Sequence, residues 1–176
     1  MAEVRLRRWR LEDAADISVM AENEWLRPWS TMVDGLDAWI RREMAEARGP
    51  TRAICLSDDD HALGRVAVRP PEFASEVVRC EAVRDSDQPA GELSYWLLPQ
   101  ARGRGLGYAA IRLMIDSVVP ALGLRSLVLD IEEGNDPSMR LAERLGAERH
   151  HPSRLHPGRR GDPHTLIVYV LPVGSD

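Results

Sequence analysis

The sequence predicts an α/β fold in a single domain, and three observations support this prediction. The chain has 176 residues, a length at which one domain buries roughly two-thirds of the surface of its unfolded chain. Its first half mixes segments in which apolar residues alternate with segments in which they recur at helical spacing. Its second half contains two strand–turn–helix units in direct succession. We therefore expect one domain, residues 1–176, with an insertion at about 70–90.

The first half of the chain predicts three strands and two helices. Alternating or apolar runs predict strands over residues 3–9, 52–56 and 62–69. Apolar residues at helical spacing predict helices over Glu12–Asn23 and Leu36–Ala47. The acidic segment 57–61 predicts the turn of a hairpin, because its short polar side chains suit turn dihedrals.

The second half predicts four strands and two helices. The strands are Glu92–Leu98, Ser126–Ile131, Ala147–His151 and Leu166–Leu171. The helices are Leu106–Val119 and Pro137–Leu145. The insertion at 70–90 is marked by proline and acidic residues, and an extra strand is expected there around Val77–Val83.

Composition excludes several classes of function. All 23 basic residues are arginine and lysine is absent, which excludes a Walker phosphate loop and Schiff-base catalysis because both need lysine. A net charge of -5 argues against sequence-independent binding to DNA. Cys55 and Cys80 follow no zinc-ligand spacing, so we expect no metal and a reducing, cytoplasmic compartment. No apolar run reaches membrane-spanning length, so we expect no membrane partner.

A glycine-rich loop follows the predicted strand Glu92–Leu98 and opens the next helix. Its sequence is Gln100-Ala101-Arg102-Gly103-Arg104-Gly105-Leu106-Gly107-Tyr108. Glycine lets the backbone approach a ligand closely, and the amides and dipole at a helix start attract a pyrophosphate. A dinucleotide-binding loop is one alternative, but GxGxxG from Gly103 would need Gly or Ala in place of Tyr108. A plain glycine turn is the other alternative.

These motifs resemble the GNAT superfamily of acyl-CoA-dependent N-acetyltransferases. The superfamily hallmark, Gln/Arg-x-x-Gly-x-Gly/Ala after the fourth strand, is matched by residues 102–107. A second feature, Asn-x-x-Ser/Ala after the fifth strand, is matched by Asn135-Asp136-Pro137-Ser138, and a Leu-Gly-Phe motif appears as Leu145-Gly146-Ala147. With Leu6-Arg7-Arg8-Trp9 and Tyr95-Trp96-Leu97, this form is similar to the branch that includes the ribosomal-protein alanine acetyltransferases of the RimJ/RimL type.

The resemblance implies a central mixed, twisted sheet of six to seven strands, splayed between strands four and five and flanked by about four helices. It implies acetyl-CoA as co-substrate, with the pantetheine arm in the gap of the sheet. The implied cofactor-binding residues are Leu97, Leu98, Arg102, Gly103, Arg104, Gly105, Leu106, Gly107, Tyr108, Asn135 and Ser138. Leu97 and Leu98 are expected to pair with pantetheine through backbone groups, and Asn135 to lie near its amide or thioester end.

The chemistry needs a base more than an acid, because a free amine is mostly protonated at neutral pH whereas a thiol has a pKa near ~8.5. Glu92 is the first candidate base, and its alternative role is an exposed or ion-paired strand carboxylate. Asp130 is the reserve candidate. Relatives place a tyrosine where this chain has Ala142, which shifts proton donation to Ser138 or water; a bond within the helix start is the alternative for Ser138. Asn135 completes the predicted catalytic set.

Aromatic and basic residues outside these motifs bear on the acceptor. Trp25 and Trp29 lie in the segment that borders the acceptor cleft in relatives, so we expect them to bind substrate together with Glu92. Trp39 falls in helical register, which favours core packing. Residues 149–164 are rich in arginine and histidine; a solvated hairpin loop is the first interpretation, and binding of RNA, the CoA 3′-phosphate or an acidic substrate is the alternative.

We therefore predict a cytoplasmic N-acetyltransferase that moves acetyl from acetyl-CoA to a primary amine, either on a small molecule or at a protein N-terminus. The amine attacks directly in a ternary complex. No metal, DNA or membrane partner is expected, and a homodimer is left open. Transfer from succinyl-CoA or another acyl-CoA is the alternative within the fold, and a non-catalytic CoA-binding regulatory module is the alternative of another class.

Overall fold

The computed structural model describes residues 3–19, 35–74, 89–156 and 164–173, and of residues 151–156 and 164 it describes the backbone alone. Four features that the sequence singles out lie outside the described residues: Trp25, Trp29, Cys80 and the extra strand around Val77–Val83.

Seven strands and four helices are found in the described ranges. The strands are β1 (Val4–Arg7), β2 (Thr51–Leu56), β3 (Asp59–Arg69), β4 (Ala90–Leu97), β5 (Ser126–Glu132), β6 (Glu148–His156) and β7 (His164–Pro172). The helices are α1 (Asp13–Asp16), α2 (Leu36–Met44), α3 (Leu106–Ser117) and α4 (Asp136–Leu145). Short 3₁₀ turns form at Pro99–Ala101 and Val119–Leu122.

The strands form one mixed sheet in the order β1-β2-β3-β4-β5-β7-β6. The pairs β1–β2, β2–β3, β5–β7 and β6–β7 are antiparallel. β4 and β5 run parallel and pair at the start of both strands, where Ala90, Gly91 and Glu92 face Ser126, Leu127 and Val128. A mixed seven-stranded sheet with four described helices confirms the predicted fold class. The splay between strands four and five stays a prediction.

The chain divides into two compact units, and the first comprises Met1–Ala67 and Tyr95–Met114. Its core contains three tryptophans. The ring centroids of Trp9 and Trp39 lie 5.1 Å apart in an edge-to-face arrangement, and Trp96 lies 6.2 Å from Trp9 and 6.1 Å from Trp39. Such geometry adds aromatic attraction to the burial of apolar area. Trp39 is buried, as its helical register predicts.

A series of side-chain hydrogen bonds extends from Trp9 of this aromatic core. The indole Nε1 of Trp9 donates to Thr51 Oγ1 at 3.2 Å, and the Thr51 hydroxyl donates to Glu43 Oε2 at 2.6 Å. Arg65 Nε donates to the same Glu43 oxygen at 2.6 Å. The carboxylate on α2 therefore provides an acceptor for a buried threonine and a buried arginine, and so offsets the cost of burying them.

The second unit comprises Val68–Ser94 and Ile115–Asp176. Its centre is the antiparallel pairing of β5 with β7, which runs over all seven residues of β5. Tyr169 on β7 is buried, and its hydroxyl donates to Glu143 Oε1 on α4 at 3.2 Å. Burial, the bond to Glu143 and the charge of that carboxylate all raise the pKa of Tyr169. The bond fastens α4 to the sheet.

The predicted hairpin of β2 and β3 is present, but its turn is shorter than the predicted segment 57–61. The turn consists of Ser57-Asp58, and the next three residues already belong to β3. Asp60 accepts from Arg7 Nε at 3.0 Å and from Arg10 Nη1 at 2.5 Å, so contacts with the amino-terminal segment hold it in the strand. The predicted turn boundary was wrong because these partners are distant in sequence.

Helix α1 is much shorter than the predicted helix Glu12–Asn23, of which residues 20–23 lie outside the described part. Side chains hold it at both ends. The buried Asp13 accepts from Arg7 Nη1 at 2.9 Å and from Arg7 Nη2 at 2.6 Å. Asp16, its last residue, accepts from His61 Nδ1 at 2.7 Å and from Ala62 N at 2.8 Å. Contacts with strands, and not helical periodicity, fix its length.

The outer strands also differ in length from their predictions. β1 ends at Arg7 instead of residue 9, because the chain turns there and Arg10 N donates to Asp13 Oδ2 at 2.8 Å. β6 reaches His156 and β7 begins at His164, so part of the Arg- and His-rich segment 149–164 is strand and not loop. The interpretation as a hairpin loop therefore holds for at most the residues between these strands, which lie outside the described part.

Candidate functional site

The glycine-rich loop leaves β4 through a tightly fixed turn. Leu98 N donates to Leu63 O at 2.8 Å, and Leu98 O accepts from Ala101 N at 2.9 Å within the 3₁₀ turn Pro99–Ala101. Leu98 and Ala101 are both buried. The start of the loop is therefore anchored in the first unit before the glycines begin.

Two glycines of the loop adopt the left-handed conformation. Gly103 has φ 71° and Gly105 has φ 78°. A Cβ added at either position would meet nothing within 4 Å, so space in the fold does not require glycine there. The backbone conformation does require it, because a left-handed residue with a side chain costs roughly 1–2 kcal/mol. The loop thus keeps an open backbone surface.

Helix α3 begins directly after this loop, and the backbone amides of its first turn precede its first internal hydrogen bond. Ala109 N donates to Gly105 O at 3.2 Å, which makes Gly105 the N-cap residue. The amides of residues 105–107 precede that bond and have no acceptor within the helix, and glycine has no side chain to cap them. The first turn of α3, all of it described, carries no acidic residue. Arg102 and Arg104 precede it and are exposed, so this helix start is suited to an anion.

The side chain of Arg102 is bonded to the end of β4. Its Nε donates to Leu97 O at 3.0 Å. Of the two residues predicted to pair with pantetheine, Leu98 thus has its amide and its carbonyl bonded within the chain, and Leu97 has its carbonyl bonded to Arg102. A carbonyl oxygen accepts two hydrogen bonds, so the Leu97 oxygen retains capacity for a ligand. The pairing with pantetheine stays a prediction.

Helix α4, in the second unit, starts in a different way. Asn135 is its N-cap, and its side chain accepts from Ser138 N at 3.4 Å. The Asn135 carbonyl also accepts from Ser138 N, at 3.0 Å, and from Met139 N, at 3.1 Å. The amide of Ser138 therefore takes part in the helix start, and Asn135 has a structural role as the cap. The role of the Ser138 hydroxyl stays a prediction.

The candidate bases are both half-buried strand residues of the second unit. Glu92 Oε1 accepts from Arg69 Nη1 at 2.8 Å, which is the ion-paired arrangement given above as the alternative to catalysis. Asp130 lies on β5, opposite Val168 of β7. Ala142, at the position where relatives carry tyrosine, is fully buried. Catalytic roles for Glu92, Asn135 and Ser138 stay predictions.

Sequence reasoning missed two features of these sites. It did not identify Arg69 as the partner of Glu92, because the two residues lie 23 positions apart and no local pattern links them. It also did not assign Asn135 as a helix cap, although an asparagine directly before an apolar-periodic helix is the usual N-cap signal.

The described ranges also bear on metal binding and on membrane crossing. No group of three or more His, Cys, Asp or Glu side chains in these ranges is placed to hold a metal ion. Among the helices of the same ranges, none has the length and apolar character needed to cross a membrane.

The chain is similar to known proteins in both sequence and structure. The family model described as acetyltransferase (GNAT) domain matches residues 3–148. The chain is also 36% identical over 64 residues to the human alpha/beta-tubulin-N-acetyltransferase 9. That alignment covers 36% of this chain and 31% of the length of the curated relative.

Solved structures share the fold over nearly the whole chain. The acetyltransferase (GNAT family) from Bacillus anthracis has a TM-score of 0.74 at 13% identity, covering 98% of this chain and 96% of its own. The microcin C7 self-immunity acetyltransferase MccE, in complex with acetyl-CoA and AMP, has a TM-score of 0.72 at 15% identity, covering 97% and 93%. RimJ of Mycobacterium smegmatis, in complex with CoA-disulfide, has a TM-score of 0.69 at 20% identity, covering 96% and 81%.

Proposed function

Because this chain belongs to the acetyltransferase (GNAT) domain family, we propose that it acts as one N-acetyltransferase domain that transfers an acetyl group from acetyl-CoA to a primary amine. The observation that carries the proposal is the start of α3. Two left-handed glycines, Gly103 and Gly105, precede it, and Gly105 also caps it without a side chain. Two arginines, Arg102 and Arg104, lie beside it. These features together suit the pyrophosphate of CoA.

In this proposal the amides of Arg104, Gly105, Gly107 and Tyr108 hold the phosphates of acetyl-CoA. The guanidinium of Arg102 adds a charge-assisted hydrogen bond. Support comes from the geometry of the loop, whose glycine backbone lets a ligand approach closely, and from the lack of an acidic side chain in the fully described first turn of α3. Asn135 and Ser138 are proposed to contact the pantetheine or thioester end.

The proposed reaction is direct attack in a ternary complex. The acceptor ammonium first loses one proton to become a neutral amine. The amine nitrogen then forms the new C–N bond to the acetyl carbonyl carbon and loses a second proton, while the C–S bond breaks to release the CoA thiolate, which takes up a proton. Glu92 is the proposed base, directly or through water, and the ion pair with Arg69 orients its carboxylate. Ser138 or water is the proposed proton donor to the thiolate, a group that needs little help because of its low pKa.

The acceptor is proposed to be a protein N-terminus or a small amine, as in the RimJ/RimL-like branch. One observation supports a protein acceptor: the curated relative is named for tubulin N-acetylation. Trp25 and Trp29 are proposed to line the acceptor site together with Glu92. Transfer of succinyl from succinyl-CoA is the alternative within the fold, and it would need an arginine near the thioester to bind the second carboxylate.

The test is release of the CoA thiol from acetyl-CoA over a panel of peptides with different N-terminal residues and of small amines, with direct calorimetry of CoA binding. The chain has no lysine, so any acetyl-lysine formed must belong to the substrate. Turnover with at least one amine supports the proposal. CoA binding without turnover on any amine would favour a non-catalytic module, faster turnover with succinyl-CoA would change the donor, and absence of CoA binding would refute the proposal.

A further inference from the structure

The turn that follows β3 holds the backbone of Phe73 in a fixed position within the second unit. Pro70 and Pro71 open this turn, and their rings leave the chain little freedom there. The carbonyl of Pro70 then accepts from Phe73 N and from Ala74 N, each at 3.0 Å. The backbone that carries the Phe73 ring is therefore constrained by two prolines before it and by two hydrogen bonds.

Ala74 anchors the turn on one face of the sheet. It packs in a buried apolar cluster with one residue from each of three strands of the second unit, Ala90, Val128 and Val168. Side chains alternate along a strand, so Ala90 and Glu92 project from the same face of β4. Glu92 also lies opposite Val128 in the pairing of β4 with β5. The turn therefore lies on the face of the sheet from which the proposed base projects.

Arg69 connects the other end of the same segment to Glu92. It is the last residue of β3, and its Nη1 donates to Glu92 Oε1 at 2.8 Å. Phe73 follows Arg69 by four residues and directly precedes Ala74, whose cluster includes the β4 position two residues before Glu92. Two contacts thus hold the turn beside Glu92, and Phe73 lies between them in the chain.

The fixed backbone of Phe73 carries a side chain that is far from buried. Phe73 is 49% exposed, and it is the only phenylalanine of the chain. An aromatic ring in this state gives up part of the stabilisation that full burial would provide. A ligand that covers the ring gains this apolar contact and has little protein backbone left to order. Beside the proposed base, the ligand in question is the acceptor.

We propose that Phe73 forms an apolar wall of the acceptor site and selects primary amines that carry an apolar group next to the nitrogen. The inference rests on the proposed function and deepens it, because it names the class of acceptor. An alkylamine and a peptide with an apolar first residue share this chemistry. A strongly hydrated or charged group at the same place would lose its water against the ring, which costs free energy.

The experiment measures kcat/KM at saturating acetyl-CoA for two homologous series of acceptors. One series is the n-alkylamines from ethylamine to hexylamine, and the other is tripeptides that begin with Gly, Ala, Val or Leu and end in Gly-Gly. Full-length Phe73→Ala and Phe73→Leu are compared with wild type. The matched control, Leu113→Ala, removes an exposed apolar side chain from α3. Unfolding midpoints confirm that each variant folds.

We expect kcat/KM of wild type to rise along at least one series, by about twofold or more for each added methylene, because each methylene is buried against the ring. Phe73→Ala should flatten this rise. It should lower kcat/KM for the longest acceptor about tenfold, mainly through KM, and change the value for the shortest by less than about twofold. Phe73→Leu should retain most of the rise, and Leu113→Ala should match wild type. The series that shows the rise tells whether the source of the amine is a small molecule or a peptide.

Four results would overturn the inference. Wild-type kcat/KM that rises along neither series would show that the site does not favour an apolar neighbour of the amine. An unchanged rise in Phe73→Ala would assign the selection to other residues. Equal losses for the shortest and longest acceptors would show that Phe73 supports Glu92 and does not contact the acceptor. Acetylation of other amines, with neither series used, would exclude the proposed acceptor class. Absence of turnover with every amine would instead refute the proposed function, so the two failures are distinguishable.

Discussion

The helices of the two strand–turn–helix units, α3 and α4, begin in opposite ways. Each helix start has backbone amides without acceptors in its own helix. At α4 the chain itself compensates for these amides. Asn135 caps the helix, Pro137 removes one amide, and Asp136 places a negative charge in the first turn. At α3 the cap is a glycine, and the first turn, fully described, has no acidic residue. The first arrangement stabilises a helix, and the second leaves it ready for a ligand.

The difference shows what distinguishes the proposed binding loop from a structural one. Both turns contain left-handed glycine, since Gly134 has φ 90° and Gly105 has φ 78°. Glycine by itself therefore does not mark the site. What distinguishes the loop before α3 is the combination of a cap without a side chain and adjacent positive charge from Arg102 and Arg104.

The contrast between the starts of α3 and α4 requires that the loop before α3 leaves from a fixed point at the end of β4. Gly64→Ala disturbs that point, and we expect it to have the largest effect of the changes considered. The new Cβ would overlap Trp96 O and Leu97 Cδ2, at 2.4 Å and 2.7 Å. We expect a loss of about 1–3 kcal/mol in the free energy of unfolding, measured in urea, together with weaker CoA binding. Equal or higher stability would contradict the close approach, because alanine normally stabilises an unstrained strand position that held glycine.

Gly103→Ala tests the loop itself against a matched glycine elsewhere. Gly103 and Gly123 have similar φ values, 71° and 64°, and neither has an atom within 4 Å of an added Cβ. Both substitutions should lower the free energy of unfolding by about 1–2 kcal/mol through backbone strain. CoA binding should fall about tenfold only in Gly103→Ala, because its Cβ lies on the surface that approaches the phosphates. Similar CoA affinities in the two variants would remove the loop from the binding site.

Two substitutions of Asn135 separate its role as the cap of α4 from a role in binding the cofactor. Asn135→Ala should lower the free energy of unfolding by about 1 kcal/mol, because the Ser138 amide loses its side-chain acceptor. Asn135→Asp keeps that acceptor and should restore stability. If the side-chain amide donates to the cofactor, as proposed, Asn135→Asp should restore stability without restoring kcat/KM for acetyl-CoA. Recovery of both would show that Asn135 is a cap and nothing more.

The parts of the fold that were predictable from sequence are those set by local pattern. The units from Glu92 to Val119 and from Ser126 to Leu145 were predicted within two residues at every end, since apolar period, glycine and proline act over a few positions. The position of the glycine loop was predictable for the same reason. Its bond from Arg102 to Leu97 was not, because that contact depends on the exact path of the turn.

The parts that escaped prediction depend on distant partners. Asp60 reads as a turn residue but lies in β3, where it accepts bonds from Arg7 and Arg10. Likewise, Thr51 and Glu43 show no local sign of the chain of hydrogen bonds that reaches Trp9. Tertiary contacts override local propensity at such positions, and a single sequence does not contain them in readable form.

The smallest expected effect concerns α1, where an acidic residue stands at the unfavourable end of a helix. Asp16 is the last residue of α1, and its bonds from His61 Nδ1 and Ala62 N compensate for the repulsion by the helix dipole. The bond and charge of Asp16 raise the pKa of His61 from its usual 6.5. The stability that this pair contributes is therefore complete below pH 6.5 and is lost as the pH rises through the raised pKa of the folded state.

The test compares the free energy of unfolding of wild type with that of His61→Asn at two pH values. The advantage of wild type should be larger at pH 5.5 than at pH 8.5, by a small margin because the ring is exposed. An NMR titration of the ring protons checks the pKa directly. The control Asp16→Asn should lower the pKa of His61 toward its ordinary value, although the charges of Asp59 and Asp60 still raise it. A stability difference independent of pH would show that the bond has no electrostatic part.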